Sequence, residues 1–197
     1  MLNQVTIARL LATALNKGGD FAEIFCEESI RDGMLCENNS IEKVSYGYEK
    51  GLGIRVIKDL RTAYVYTNDL QEDNLFKAAR LAANVFADSS PAESPVVALN
   101  SQLSPSLIAE KSLKGVACTL STRAENLFKV NAMVRDYSPL IKQVTVSAAR
   151  LQKKVLIANS LGELVEDEYS RLRMGVNVIA AGSGNRQTAF ESWGGTN

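Results

Sequence analysis

The densest cluster of groups able to exchange protons or hold a cation is Glu166-Asp167-Glu168. Three adjacent carboxylates could bind a hard metal ion or act as acid and base. Successive strand residues point to opposite faces, so only Glu166 and Glu168 could converge. A solvated hairpin end accounts for the run more simply. Gly51-Leu52-Gly53-Ile54-Arg55 is the nearest approach to a glycine-rich loop. It opens a strand, however, whereas phosphate binding needs backbone amides at a helix start. Glycines in a strand fit a bulge or a close backbone approach. Arg55 alternates with Ile54 and Val56 and is either solvated or paired in a cleft, the solvated reading being favoured. Gly182-Ser183-Gly184-Asn185 reads as a turn. Ser183 would need a neighbouring base to act as a nucleophile, and none is evident.

The chain has no histidine. That removes the Ser-His-Asp and Cys-His nucleophile systems and the commonest zinc ligand. Its three cysteines, Cys26, Cys36 and Cys118, lack the close pairs of zinc or redox motifs. If Asp32-Gly33 turns a hairpin, Cys36 faces Ser29, on the opposite side of the sheet from Cys26, and a disulfide between them is not expected. No catalytic residue and no metal ligand is assigned from motif chemistry.

Lys plus Arg and Asp plus Glu both number 22. With no net positive charge there is no electrostatic reason to expect nucleic acid or an anionic membrane as partner. Met1 to Lys17 lacks the unbroken apolar stretch of a signal peptide or membrane span. The expected location is cytoplasmic.

The elements that must position these residues follow from periodicity. Ile7, Leu10, Leu11, Ala14 and Leu15 recur at helical spacing before a Gly18-Gly19 stop. Strands are predicted at Phe21 to Phe25 and Met34 to Glu37 around an Arg31-Asp32-Gly33 turn. Others follow at Glu42 to Tyr48, Leu52 to Lys58 and Thr62 to Thr67. Leu70 to Phe86 returns to the helical period, with Asp69 and Glu72 as a capping signal. Asp88 to Pro105, with three of the four prolines, reads as a connection. A third helix is marked by Thr122 and Glu125 as a capping box and by Leu127, Val130 and Val134. Strands then resume at Gln143 to Leu151, Lys153 to Asn159, Glu163 to Tyr169, Leu172 to Ala180 and Gln187 to Ser192. The predicted fold is α+β, a mainly antiparallel sheet in two meanders with helices packed on one face. It is read as one domain of two similar halves, 1–88 and 106–197, joined by a loop over 89–105.

The order of three blocks adds to this reading: Cys36-Glu37-Asn38-Asn39-Ser40-Ile41-Glu42-Lys43-Val44, Gly51-Leu52-Gly53-Ile54-Arg55-Val56, and Thr62-Ala63-Tyr64-Val65-Tyr66-Thr67-Asn68. It resembles the amino-terminal domain of the TldD/PmbA family. Val144 to Ser147 and Ser170 to Val178 resemble the end of the same domain. Arg55 in its Gly-x-Gly-x-Arg strand is closer to the TldD side, while Ala63 stands where the family usually has glycine. The resemblance implies a parent zinc metallopeptidase acting on unfolded peptides as a homodimer or a TldD/PmbA heterodimer. Its His-Glu-x-x-x-His helix and cysteine ligand would lie on a carboxy-terminal domain, and no position here matches them.

The expectation is therefore a non-catalytic domain that shapes the substrate cleft and subunit contact, with Arg55, Tyr64 and Tyr66 as candidate cleft residues. No cofactor is expected in this chain, zinc being implied only for the full-length family. The alternative is a free-standing binding or regulatory protein, in keeping with the family's older description as a modulator of DNA gyrase.

Overall fold

The computed structural model describes residues 2–87, 97–101 and 119–196. Helix α1, Gln4–Leu15, starts where the Asn3 side chain accepts a bond from the Thr6 amide at 2.8 Å, and it buries Ile7, Leu10, Leu11, Ala14 and Leu15. Gly18, at φ 82°, takes the left-handed conformation that ends it.

Strand β1 runs without a break over Phe21–Glu37. The expected turn at Arg31-Asp32-Gly33 is thus a correction, and the chain reverses instead at Asn38-Asn39. These two residues have φ of 48° and 66°, the left-handed pair that a tight hairpin needs and that asparagine tolerates. Gly33 serves a cross-strand purpose: a Cβ there would stand 2.9 Å from Ser45 Oγ.

Strand β2, Ser40–Lys58, is likewise one strand where two were expected, and β3 follows as Arg61–Thr67. Helix α2 is Glu72–Asn84. Its N-cap is Gln71 without a side-chain cap bond, while Asp69 accepts from the Gln71 amide at 3.0 Å and from Asn74 Nδ2 at 2.7 Å. Asp69 therefore braces the approach to the helix, and Glu72 sits in its first turn.

Of the connection expected over 89–105, residues 89–96 and 102–105 lie outside the described residues. Between them, β4 is the two-residue strand Asn100–Ser101. Helix α3, Leu120–Asp136, begins three residues earlier than the expected capping box. Thr119 is its N-cap and accepts from the Thr122 amide at 3.2 Å. Strands β5, Ile141–Asn159, and β6, Glu163–Gly182, each merge two expected strands, and β7 is Asn185–Thr196. Glu166, Asp167 and Glu168 consequently lie exposed within β6 and not at a hairpin end. The Gly182 to Asn185 turn is present, with Ser183 at φ 51° and Gly184 at φ 79°.

The seven strands form one sheet in the order β3-β2-β1-β5-β6-β4, with β7 also beside β6. β2 with β3 and β6 with β7 are antiparallel, while the short β4 runs parallel to the start of β6. The Ser160 amide donates to Ala22 O and the Asn38 amide to Val144 O, an antiparallel match of β1 to β5. The fold is α+β and mainly antiparallel, built from the meanders β1 to β3 and β5 to β7. Among the described residues no helix is long and apolar enough to cross a membrane.

The chain forms two compact units. One comprises Met1–Ser29, Glu49–Leu107 and Lys153–Glu168; the other comprises Ile30–Tyr48, Ile108–Gln152 and Tyr169–Asn197. In the first, α1 and α2 pack Leu10, Leu11, Leu75 and Ala79 against Ala22, Ile24, Leu52, Ile54, Val56 and Leu156. Truncating one of these buried leucines to alanine costs about 2–5 kcal/mol. In the second, Leu127 of α3 joins Met34, Cys36, Val144, Val146 and Val176. Buried Asn131 donates from Nδ2 to Val144 O at 3.0 Å, tying α3 to β5.

Candidate functional site

In the first unit, alternation along β1 sends Ala22, Ile24 and Cys26 into the core and leaves Glu23, Phe25 and Glu27 on the other face of the strand. The same alternation buries Leu52, Ile54 and Val56 of β2, leaving Gly51, Gly53 and Arg55 on that face. From β3 it adds Tyr64 and Tyr66, both about 60% exposed.

Register sets what these residues can touch. Gly53 pairs with Tyr66 and Arg55 with Tyr64. Each tyrosine leans diagonally across β2 onto a glycine. A Cβ on Gly51 would stand 2.5 Å from Tyr66 Cζ, and one on Gly53 would stand 2.8 Å from Tyr64 Cζ, so any larger residue would displace the rings. The Gly-x-Gly spacing thus serves side-chain packing, as glycine in a strand often does when an aromatic neighbour covers it.

A groove of about 190 Å³ lies here, lined by Phe25, Glu27, Glu49, Lys50, Gly51, Tyr64 and Tyr66. Small-molecule sites usually enclose about 300–1,000 Å³, so this one suits a single side chain of a larger ligand. Arg55 does not line it. Its Nη2 donates to Glu23 Oε1 at 3.0 Å, beside Tyr64 in the register. Glu27 pairs with Lys153 at 2.8 Å.

Of the three residues expected in a cleft, the structure brings Tyr64 and Tyr66 into one groove and places Arg55 next to it in an ion pair. Phe25, Glu27 and Glu49 were not identified from sequence. The alternation of Phe21 to Glu27 held the signal, since the face opposite Ala22, Ile24 and Cys26 is the one that remains open.

Nothing in the described residues resembles a metal centre: no group of three His, Cys, Asp or Glu could hold an ion. Cys26 and Cys36 are free and buried, ten positions apart on β1, so the expected lack of a disulfide holds although the hairpin behind that expectation is absent. Burial pushes both thiols above the ordinary value of 9.0. Cys118 lies outside the described residues. Ser183 is exposed in its turn.

Two family descriptions match the chain. Residues 22–85 match PmbA/TldA metallopeptidase domain 1, and residues 118–196 match the PmbA/TldA metallopeptidase central domain. The chain belongs to the PmbA/TldD metallopeptidase family. Among PmbA/TldD proteins, it is 20% identical over 168 residues to the metalloprotease TldD homolog of Buchnera aphidicola, covering 85% of this chain and 34% of that protein. It is 24% identical over 199 residues to metalloprotease MJ0996 of Methanocaldococcus jannaschii, covering 99% of this chain and 42% of that protein. The fold is similar to that of TldE from Thermococcus kodakarensis, with a TM-score of 0.70 at 19% identity over 96% of this chain and 42% of that one. A Bacteroides thetaiotaomicron protein described as a modulator of DNA gyrase gives a TM-score of 0.73 at 15% identity, over 98% of this chain and 46% of that one. The chain thus spans less than half the length of these PmbA/TldD relatives.

Proposed function

We propose that this chain is the non-catalytic, substrate-shaping part of a TldD-type metallopeptidase, presenting the Tyr64–Tyr66 groove to an extended, unfolded peptide. The observation that carries the reading is the groove itself: two half-exposed tyrosines laid on glycines and flanked by the Arg55–Glu23 pair. A flat, ring-surfaced strand face of this kind meets the alternate side chains of an extended peptide. The parent chemistry, hydrolysis at a zinc ion, would be supplied by polypeptide beyond these residues. The chain's own contribution is to bind and orient, and its working state is a homodimer or a TldD/PmbA-type heterodimer in the cytoplasm.

The test is peptide hydrolysis measured for residues 1–197 and for a longer protein containing them together with a His-Glu-x-x-x-His segment. The expected result is chelator-sensitive cleavage by the longer protein alone. Robust, chelator-insensitive cleavage by residues 1–197 would overturn the proposal. So would one tightly held zinc per chain in protein purified without a histidine tag.

A further inference from the structure

We infer that Gly51 and Gly53 are positioning residues that set the planes of Tyr66 and Tyr64, and that the resulting platform selects an uncharged aromatic side chain on the bound peptide. This rests on the reading of the groove as a peptide cleft and adds what the cleft prefers.

The platform argument begins with the missing Cβ atoms. With Tyr66 Cζ 2.5 Å from where a Gly51 Cβ would be, the ring rests on the β2 backbone. Tyr64 lies on Gly53 in the same way. The hydroxyl end of each ring therefore lies over its glycine, and both tyrosines remain about 60% exposed, which leaves ring surface open to a ligand. Phe25, a third ring, lines the same groove. Aromatic side chains stack on such faces in offset or edge-to-face geometry, which rewards a planar ring more than a branched aliphatic of equal area.

Charge decides between a neutral and a cationic ring partner. Glu27 is paired with Lys153 and Glu23 with Arg55, while Glu49 and Lys50 bring opposite charges to the same lining. The groove has no net charge to complement an arginine or a phosphate, so an uncharged ring fits it best. The volume of about 190 Å³ holds one such side chain and not two.

The experiment titrates the 197-residue chain with fluorescently labelled seven-residue Ser/Thr/Ala peptides. One carries a central Phe; the others carry Leu, Arg or Ala at that position. The expected result is that the Phe peptide binds about fivefold or more tighter than the Leu and Ala peptides. Gly51→Ala, which forces the exposed Tyr66 ring off the strand, abolishes this preference, so that the Phe peptide binds no tighter than the Ala peptide. Tyr66→Phe on the native glycine keeps the preference, and Tyr66→Leu, which creates no crowding at Gly51, loses it. Equal binding of all four peptides, weakened together by Tyr64→Ala, would overturn the aromatic selection and leave the cleft reading standing. Binding of none of them would overturn both. A preference for Phe that survives both Gly51→Ala and Tyr66→Leu would remove the glycine and ring from the explanation.

Discussion

Arg150 holds the Asp32 carboxylate with two nitrogens, Nε and Nη2, each 2.8 Å from an Asp32 oxygen. Arg123 of α3 donates to the other carboxylate oxygen, so a single aspartate joins β1, β5 and α3 in the second unit. The Asp32 side chain is only 9% exposed. Removing one member of a buried, hydrogen-bonded ion cluster costs far more than an exposed pair is worth, because the remaining charges lose their compensation. Arg150 is one-third exposed and can reach water, which reduces the penalty. Asp32→Ala should destabilise the chain by about 3 kcal/mol, read from urea unfolding. A loss under about 1 kcal/mol would show the cluster to be solvated in solution.

The Arg55–Glu23 pair is the opposite case. With Arg55 43% exposed, its contribution to stability should stay under about 1 kcal/mol. Arg55→Ala should therefore leave the urea midpoint nearly unmoved. If the pair borders the peptide path, the same change should weaken peptide binding or turnover measurably. Unchanged binding would remove Arg55 from the site while leaving the tyrosines in it.

The buried thiols of Cys26 and Cys36 should react slowly. Burial raises both above the ordinary thiol value of 9.0, so little thiolate exists at pH 8 in the folded chain. In a Cys118→Ser background, modification by a disulfide reagent at pH 8 should await unfolding. The sign of the linkage follows: the folded thiols keep their protons where unfolded ones lose them. Stability contributed by these groups is full below pH 9.0 and declines as pH rises above it. Rapid labelling under native conditions would show that this part of β1 opens readily.

Formal neutrality makes a clear forecast for nucleic acid. With no net positive charge to release counterions, binding to duplex DNA at physiological salt should be weaker than micromolar and insensitive to sequence. Submicromolar binding in an anisotropy titration would shift weight to the free-standing, gyrase-modulating alternative.

What could be read from the sequence divides along a physical line. Helices were legible because Ile7, Leu10, Leu11 and Leu75, Ala78, Ala82 repeat at 3.6 residues, and the α+β class followed from their alternation with strands. Strand lengths were not. Asp32-Gly33 has the composition of a turn, yet Asp32 is fixed by two arginines distant in sequence and Gly33 by a neighbouring serine, and neither partner is visible locally. Asn38-Asn39, which does turn, gave the weaker signal because asparagine must be compared with its neighbours for tolerance of positive φ. At the groove, Tyr64 and Tyr66 were legible as aromatic strand residues. Alternation along β1 puts Phe25 and Glu27 on the open face opposite Ala22, Ile24 and Cys26, but that they share a groove with Tyr64 and Tyr66 depends on pairing across strands, which periodicity within one segment does not reveal.

The path of the chain through its two compact units carries a further implication. Neither unit is a continuous stretch: the first takes residues from three separate segments, and so does the second. The boundary between the two family segments, after residue 85 and before residue 118, thus does not divide the units from one another, since each unit draws on both segments. A break there leaves α1 and α2 still dependent on Leu156 and Ala158 of β5 for their core. Inheritance of the two segments is accordingly bound together, since a gene carrying only one would encode part of each core and all of neither.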